Sequence, residues 1–307
     1  MFLVLLLYML FASTFTLGKL ALEVFDPIFF VASRMLLGGA LLLGYQYLCN
    51  RTQWKFNLKD WALFAQLAFF HMFLAFALEF WALQYVIPSK ACLIYNTSPF
   101  ITALFAYFLL HERMNYQKWI GLLIGFIGMG PLLMSMSPGE DIMGSFLRLS
   151  WPELAVLGAV TSSVYGWMLF KRAMNVGYSP VMVNGLAMLG GGVCALGFSI
   201  ATEGVPLLRV PLHGDTTTFG SLTPLVYYCG YTLLLILIAN IVCYNLYGFL
   251  LRRYSTTFLS FAGVTCPLFA ALFDWMLLGV TVGWHFFATS ALTSLGLYIF
   301  YQKELSE

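Results

Sequence analysis

Apolar residues run through this chain in long blocks, without the every-second-residue alternation of a barrel strand. Ten blocks can be read, at roughly 2–22, 27–48, 60–83, 88–110, 116–134, 152–170, 180–201, 223–250, 256–278 and 283–301. Each is near the ~20 residues that cross ~30 Å of hydrocarbon as a helix. The pattern predicts an all-α integral membrane protein of ten transmembrane helices. The connections are short. The longest are 135–151, with Ser137-Pro138-Gly139-Glu140-Asp141, and 202–222, with Gly204, Pro206, Pro211 and Gly214-Asp215; neither is large enough for a soluble domain. The first block has no basic leader and no evident small-residue cleavage site before Glu23, so it reads as a retained helix.

Composition agrees and adds exclusions. Of 307 residues, 61% are hydrophobic and 9% charged, with a net charge of +2. A soluble domain carries about 25% charged residues. A soluble single core, a nucleic-acid binder and a disordered chain are therefore excluded. The natural surroundings are membrane lipid, read as the cell (inner) membrane.

The few charges orient the spans. With a cytoplasmic N-terminus, the cytoplasmic ends carry Arg51, Lys55, Lys59, Arg113, Lys118, Lys171, Arg172, Arg252, Arg253 and Lys303. The outer ends carry only Lys19, Lys90, Arg148 and Arg209. Ten against four of the 15 basic residues places both termini in the cytoplasm. The remaining one, Arg34, lies inside a block. The six cysteines sit in or beside apolar blocks without metal-ligand spacing, so no metal and no cofactor is expected.

The chain also repeats itself. Thr97-Ser98-Pro99-Phe100-Ile101-Thr102-Ala103-Leu104-Phe105 matches Thr265-Cys266-Pro267-Leu268-Phe269-Ala270-Ala271-Leu272-Phe273 at five of nine positions, an offset of 168 (267 − 99). Asp26-Pro27 answers to Ser179-Pro180 at an offset of 153 (180 − 27). The difference of 15 fits the longer second-half loop. The domains predicted are a five-helix repeat at 1–134, a linker at 135–151, a second repeat at 152–301 and a short tail at 302–307. Five spans per half give the halves opposite orientations, an inverted repeat of the kind secondary transporters use. Pro99 and Pro267 fall near the middle of their blocks. Proline there frees a carbonyl one turn back, which suits either a gating kink or a static one.

Several stretches resemble a known family: Ala82-Leu83-Gln84-Tyr85 through Pro99-Phe100, then Leu109-Leu110-His111-Glu112-Arg113, Trp119-Ile120-Gly121, and Asp26-Pro27 with Arg34 seven residues on. They are similar to the EamA-type drug/metabolite transporters over essentially the whole chain. The resemblance implies ten helices, alternating access, and a substrate among amino acids, nucleotide-like metabolites and drugs, moved by exchange with a counter-substrate or by coupling to protons. His111 stands where the family has glycine, and Val280 where the second half usually repeats an acid. The richness in Phe, Tyr and Cys is similar to one branch, the S-adenosylmethionine/S-adenosylhomocysteine transporters of obligate intracellular bacteria.

Ionisable residues within spans are costly and point to function. Arg34 lies seven residues into its block, ~10 Å from the outer end. Arg34, Glu79 near the outer end of the third block, and Asp274 in the outer half of the ninth all gather in the outer half. Arg34 suits a substrate carboxylate, with Glu79 and Asp274 for an ammonium or sulfonium; equally, Arg34 would neutralise one of the two acids. His71 suits a proton relay or a neutral interhelical bond. Tyr95 and Asn96 before Pro99 suit a metabolite's polar groups. Tyr165 and Trp167 suit stacking on a planar base, though most aromatics here must be core or interfacial belt. Lys19 reads as snorkelling to the interface. Asn184, Asn240 and Asn245 read as interhelical.

The best overall reading is a secondary transporter of a small polar metabolite, not an enzyme: S-adenosylmethionine in exchange for S-adenosylhomocysteine, or alternatively an amino-acid or drug/metabolite exporter. An intramembrane enzyme acting on lipid-linked substrates would need a catalytic constellation. The sequence has no Gly-x-Ser-x-Gly, no His-Glu-x-x-His and no paired-Asp motif.

Overall fold

A computed structural model describes residues 2–22, 25–51, 54, 57–110, 115–128, 130–133, 145–146, 149–204, 224–250, 259 and 262–305. The His111-Glu112-Arg113 motif, the turn at Ser137–Asp141, most of the 202–222 loop and the basic pair Arg252-Arg253 lie outside them.

The described chain is nearly all helix. The helices are α1 (Phe2–Leu22), α2 (Pro27–Cys49), α3 (Leu58–Leu83), α4 (Pro88–Tyr95), α5 (Ser98–Leu110), α6 (Tyr116–Gly128), the short α7 (Gly130–Leu133), α8 (Trp151–Val176), α9 (Pro180–Thr202), α10 (Pro224–Leu235 continued by Ile236–Cys243 and Tyr244–Leu250), α11 (Gly263–Leu278) and α12 (Trp284–Leu305). Six helical stretches among the described residues are long and apolar enough to cross a membrane: α1, α2, α3, α8, α9 and Cys229–Leu250 of α10. Large apolar side chains such as Leu48, Ile127 and Val193 remain exposed on the outside, as lipid-facing helices require.

Helix starts follow local chemistry. α2, α4, α8 and α9 each open with proline in the first turn, where its missing N–H costs nothing. Ser150 and Glu153 form a reciprocal capping box on α8. α8 closes at Gly177, in the left-handed conformation at φ 106°.

Three features depart from the plain reading of the apolar blocks. The block 88–110 is two helices, α4 and α5, broken by a turn at Asn96-Thr97. Pro99 is the second residue of α5, so no N–H there reaches back to the Tyr95 carbonyl. A 3₁₀ turn at Gly263–Thr265 precedes Pro267 in the same way, and Thr97 and Thr265 each donate a hydroxyl to the carbonyl three residues back, both at 2.7 Å. Second, α3 and α10 carry π-helical stretches at Leu67–Leu74 and Ile236–Cys243, an offset of 169 at both ends (236 − 67, 243 − 74). π-bulges widen a turn and often occur at functional positions. Third, the linker contains a small antiparallel pair, with Ser145 opposite Ser150 and Phe146 opposite Leu149. The described residues are thus all-α apart from this hairpin.

α2 lies along α9, and α6 along α12. The α2–α9 contact depends on glycine. A Cβ at Gly39 would stand 2.9 Å from the Gly185 carbonyl oxygen and from Leu189; one at Gly192 would stand 2.8 Å from Leu36 Cγ. Gly39 and Gly192, like Leu36 and Leu189, are 153 residues apart, so each helix offers the other the same surface.

Candidate functional site

Arg34 is the largest fully buried side chain, at 1% exposure. α2 carries it against α3, where the guanidinium carbon stands 5.0 Å from the Phe76 ring centre and 4.8 Å from that of Phe80. Such contacts stabilise a cation but leave its donors unused. Nε and Nη2 have no hydrogen-bond partner. Glu79, one turn beyond Phe76 and directly before Phe80, is within Coulombic range of Arg34, and so is Tyr244 of α10. No ion pair of 4.0 Å or less joins Arg34 to any carboxylate among the described residues. Glu79 instead accepts a 2.5 Å hydrogen bond from the Tyr95 hydroxyl at the end of α4.

Beside this pair is an aromatic wall. Trp167 of α8 stacks on Tyr244 at 5.5 Å and 21°, and meets Tyr247 at 4.9 Å, Phe170 at 5.2 Å and His71 at 4.8 Å. His71 lies in the π stretch of α3, buried, with the Ser163 backbone as its polar neighbour. A Cβ at Gly166 would collide with it, so α8 must carry glycine there. Asn240 occupies the matching π stretch of α10. Its Nδ2 faces the sulfurs of Met188 at 3.4 Å and Met35 at 3.7 Å, and its Oδ1 is unbonded. Asn96, at the break between α4 and α5, is buried with Nδ2 unbonded.

The structure therefore brings together Arg34, Glu79, Tyr95, His71 and Trp167. It separates two other candidates from them. Tyr165 is about 200° around α8 from Trp167, donates to Gln66 Oε1 at 2.8 Å and touches Phe70 and Phe105. Asp274, fully buried in α11, accepts from the Ser89 N–H at 2.8 Å and the Thr16 hydroxyl at 3.2 Å, so it caps the start of α4.

Other charges are similarly occupied. Lys19 gives its ammonium to the carbonyls of Leu83 at 2.6 Å and Gln84 at 2.7 Å, closing the end of α3. Lys90 and Glu153 form a 2.9 Å ion pair, each 3% exposed. Glu203 caps α2 through the N–H groups of Ile28 and Phe29, both at 2.9 Å.

The chain matches the EamA-like transporter family over residues 1–134 and 150–302. The chain belongs to this family of transporters. It is a multi-pass membrane protein and no enzyme. It is 32% identical over 308 residues to the S-adenosylmethionine/S-adenosylhomocysteine transporter of Chlamydia muridarum, covering 100% of this chain and 92% of that one. It is also 32% identical to the transporter of the same name from Chlamydia trachomatis, covering 100% and 90%. A solved crystal structure shares the fold at a TM-score of 0.62 and 17% identity, covering 100% of this chain and 97% of its own.

For this EamA-like transporter, sequence reasoning missed Tyr244, Tyr247, Phe76 and Phe80 as neighbours of the charged pair. One available signal was spacing: Phe76 and Phe80 flank Glu79, and Tyr244 lies one turn beyond Asn240. The rest depends on which helices meet.

Proposed function

We propose that this transporter moves S-adenosylmethionine across the membrane in exchange for S-adenosylhomocysteine. The carrying observation is Arg34, a buried guanidinium with two unbonded nitrogens beside a carboxylate and an aromatic wall. Both solutes have an amino-acid head, a sulfur and an adenine. Arg34 takes the carboxylate by a bidentate pair, and Glu79, held by Tyr95, takes the ammonium. Trp167 and Tyr244 take the sulfur and the base, and Asn96 and His71 supply polar contacts to them. Asp274 and Tyr165 stay outside this assignment, because their polar atoms are engaged elsewhere. The names of the chlamydial relatives support the same solutes.

The architecture behind this reading is ten spans in two inverted five-helix repeats, 1–134 and 152–301, joined by the linker 135–151, with both termini, including the tail 302–307, in the cytoplasm. The paired π stretches and the self-matching α2–α9 contact support it. Alternating access then rocks one repeat against the other, with hinges at the breaks before Pro99 and Pro267.

Proteoliposomes loaded with S-adenosylhomocysteine should accumulate labelled S-adenosylmethionine, and unlabelled S-adenosylhomocysteine should compete with it while phenylalanine does not. Competition by phenylalanine alone would move the assignment to an amino-acid exporter.

A further inference from the structure

The two halves present different chemistry at matching positions. At the 153 offset that relates α2 to α9, Arg34 answers to Ala187; at the 169 offset of the paired π stretches, which relates α3 to α10, Glu79 answers to Gly248. The charged residues thus stand on the first-half wall, α2 and α3. The facing second-half wall, from α8 and α10, offers Trp167, Phe170, Tyr244 and Tyr247. From the first half, the His71 ring meets Trp167 at 4.8 Å, Tyr244 at 6.0 Å and Phe170 at 6.5 Å, and Phe11 meets Tyr244 at 6.4 Å. Tyr244 lies within Coulombic range of Glu79 and Arg34, at the head end of this wall, whereas Tyr247 lies outside the range of either charge.

On the exchange reading, on which this step rests, Arg34 and Glu79 neutralise the amino-acid head. That head is the same zwitterion in both solutes. The solutes differ at sulfur: a sulfonium bearing a full positive charge in S-adenosylmethionine, a neutral thioether in S-adenosylhomocysteine. We infer that the Trp167–Tyr247 part of the wall receives the sulfur without a counter-charge or a titratable acid, so that exchange moves one net positive charge per cycle and is driven by the membrane potential. Aromatic faces attract a cation through their quadrupole and a thioether through polarizability, with similar modest strength. A carboxylate at that point would hold the sulfonium and reject the thioether. An aromatic wall lets one site load both, as exchange requires. The titratable groups around Glu79, namely Arg34 from α2, Cys92 and Tyr95 from α4 and Tyr244 from α10, belong to the head end of the site.

The test uses the full-length protein in proteoliposomes with a potassium diffusion potential set by valinomycin. Exchange of labelled S-adenosylmethionine for S-adenosylhomocysteine should accelerate when the side it moves toward is negative. S-adenosylmethionine self-exchange should ignore the potential. Half-saturating concentrations of the two solutes should agree within about tenfold. Tyr247→Glu, which places a carboxylate on the second-half wall, should favour S-adenosylmethionine over S-adenosylhomocysteine by roughly tenfold or more. Should this variant fail to fold, the wild-type voltage response still decides. Exchange indifferent to voltage, with a proton travelling beside the thioether, would overturn this inference and leave the exchange reading standing. Absence of exchange between the two solutes would overturn both.

Discussion

Two sets of charges in this transporter contrast sharply. At the mouths of the helices, Lys19, Lys90, Glu153, Glu203 and Asp274 are each engaged by a helix terminus or an opposite charge. Deeper, Arg34 has two unbonded nitrogens although Glu79 is near. A buried charge is tolerated when paired and hydrogen-bonded, and breaking such a pair costs stability. A buried charge kept partly unpaired needs another reason, and a substrate carboxylate supplies one. On the proposed function, the first set is structural and the second is the site.

Each set can be broken separately. The largest expected effect on stability is in the Lys90–Glu153 pair. Glu153→Ala should cost about 3–5 kcal/mol, read as thermal unfolding in detergent, because it takes the counter-charge from a buried ammonium. Lys90→Met combined with Glu153→Leu should recover most of that loss and keep flux. If the double variant instead lost flux at full stability, the pair would belong to the site. The helix contact should come next. Gly39→Leu should cost about 1–3 kcal/mol by overpacking against Leu189, and Gly192→Leu a similar amount against Leu36. Unequal costs would break the equivalence of α2 and α9. Thr16→Val removes one donor to Asp274 and should cost about 1 kcal/mol with flux unchanged.

The smallest effect lies outside the spans. The Tyr178 phenol, between α8 and α9, donates to Asp60 at 2.7 Å, and burial and then the Asp60 carboxylate hold its pKa above the usual phenol value. A pKa raised on folding gives stability that is complete below the unfolded value and fades as pH rises through the folded one. Tyr178→Phe should therefore lower the melting midpoint slightly at neutral pH, with the difference closing in strong alkali.

What the sequence made legible follows from where the information is stored. Unbroken apolar blocks report that helices exist, because lipid leaves the backbone few alternatives. Arg34 was visible for the same reason, a charge amid apolar neighbours. The break at Asn96-Thr97 and the π stretches around His71 and Asn240 are local adjustments that periodicity over twenty residues averages away. The engagement of Asp274 was illegible, since its partners, Thr16 and Ser89, lie 258 and 185 residues away in sequence. Tyr165 could have been parted from Trp167 beforehand: residues two apart face nearly opposite sides of a helix.

The most direct test of the contrast is counterflow of labelled S-adenosylmethionine into vesicles loaded with S-adenosylhomocysteine, comparing wild type with Arg34→Ala at matched insertion and unchanged melting. An unpaired guanidinium reserved for substrate predicts a fall of roughly a hundredfold or more. Counterflow at the wild-type rate would contradict it and return Arg34 to the structural set.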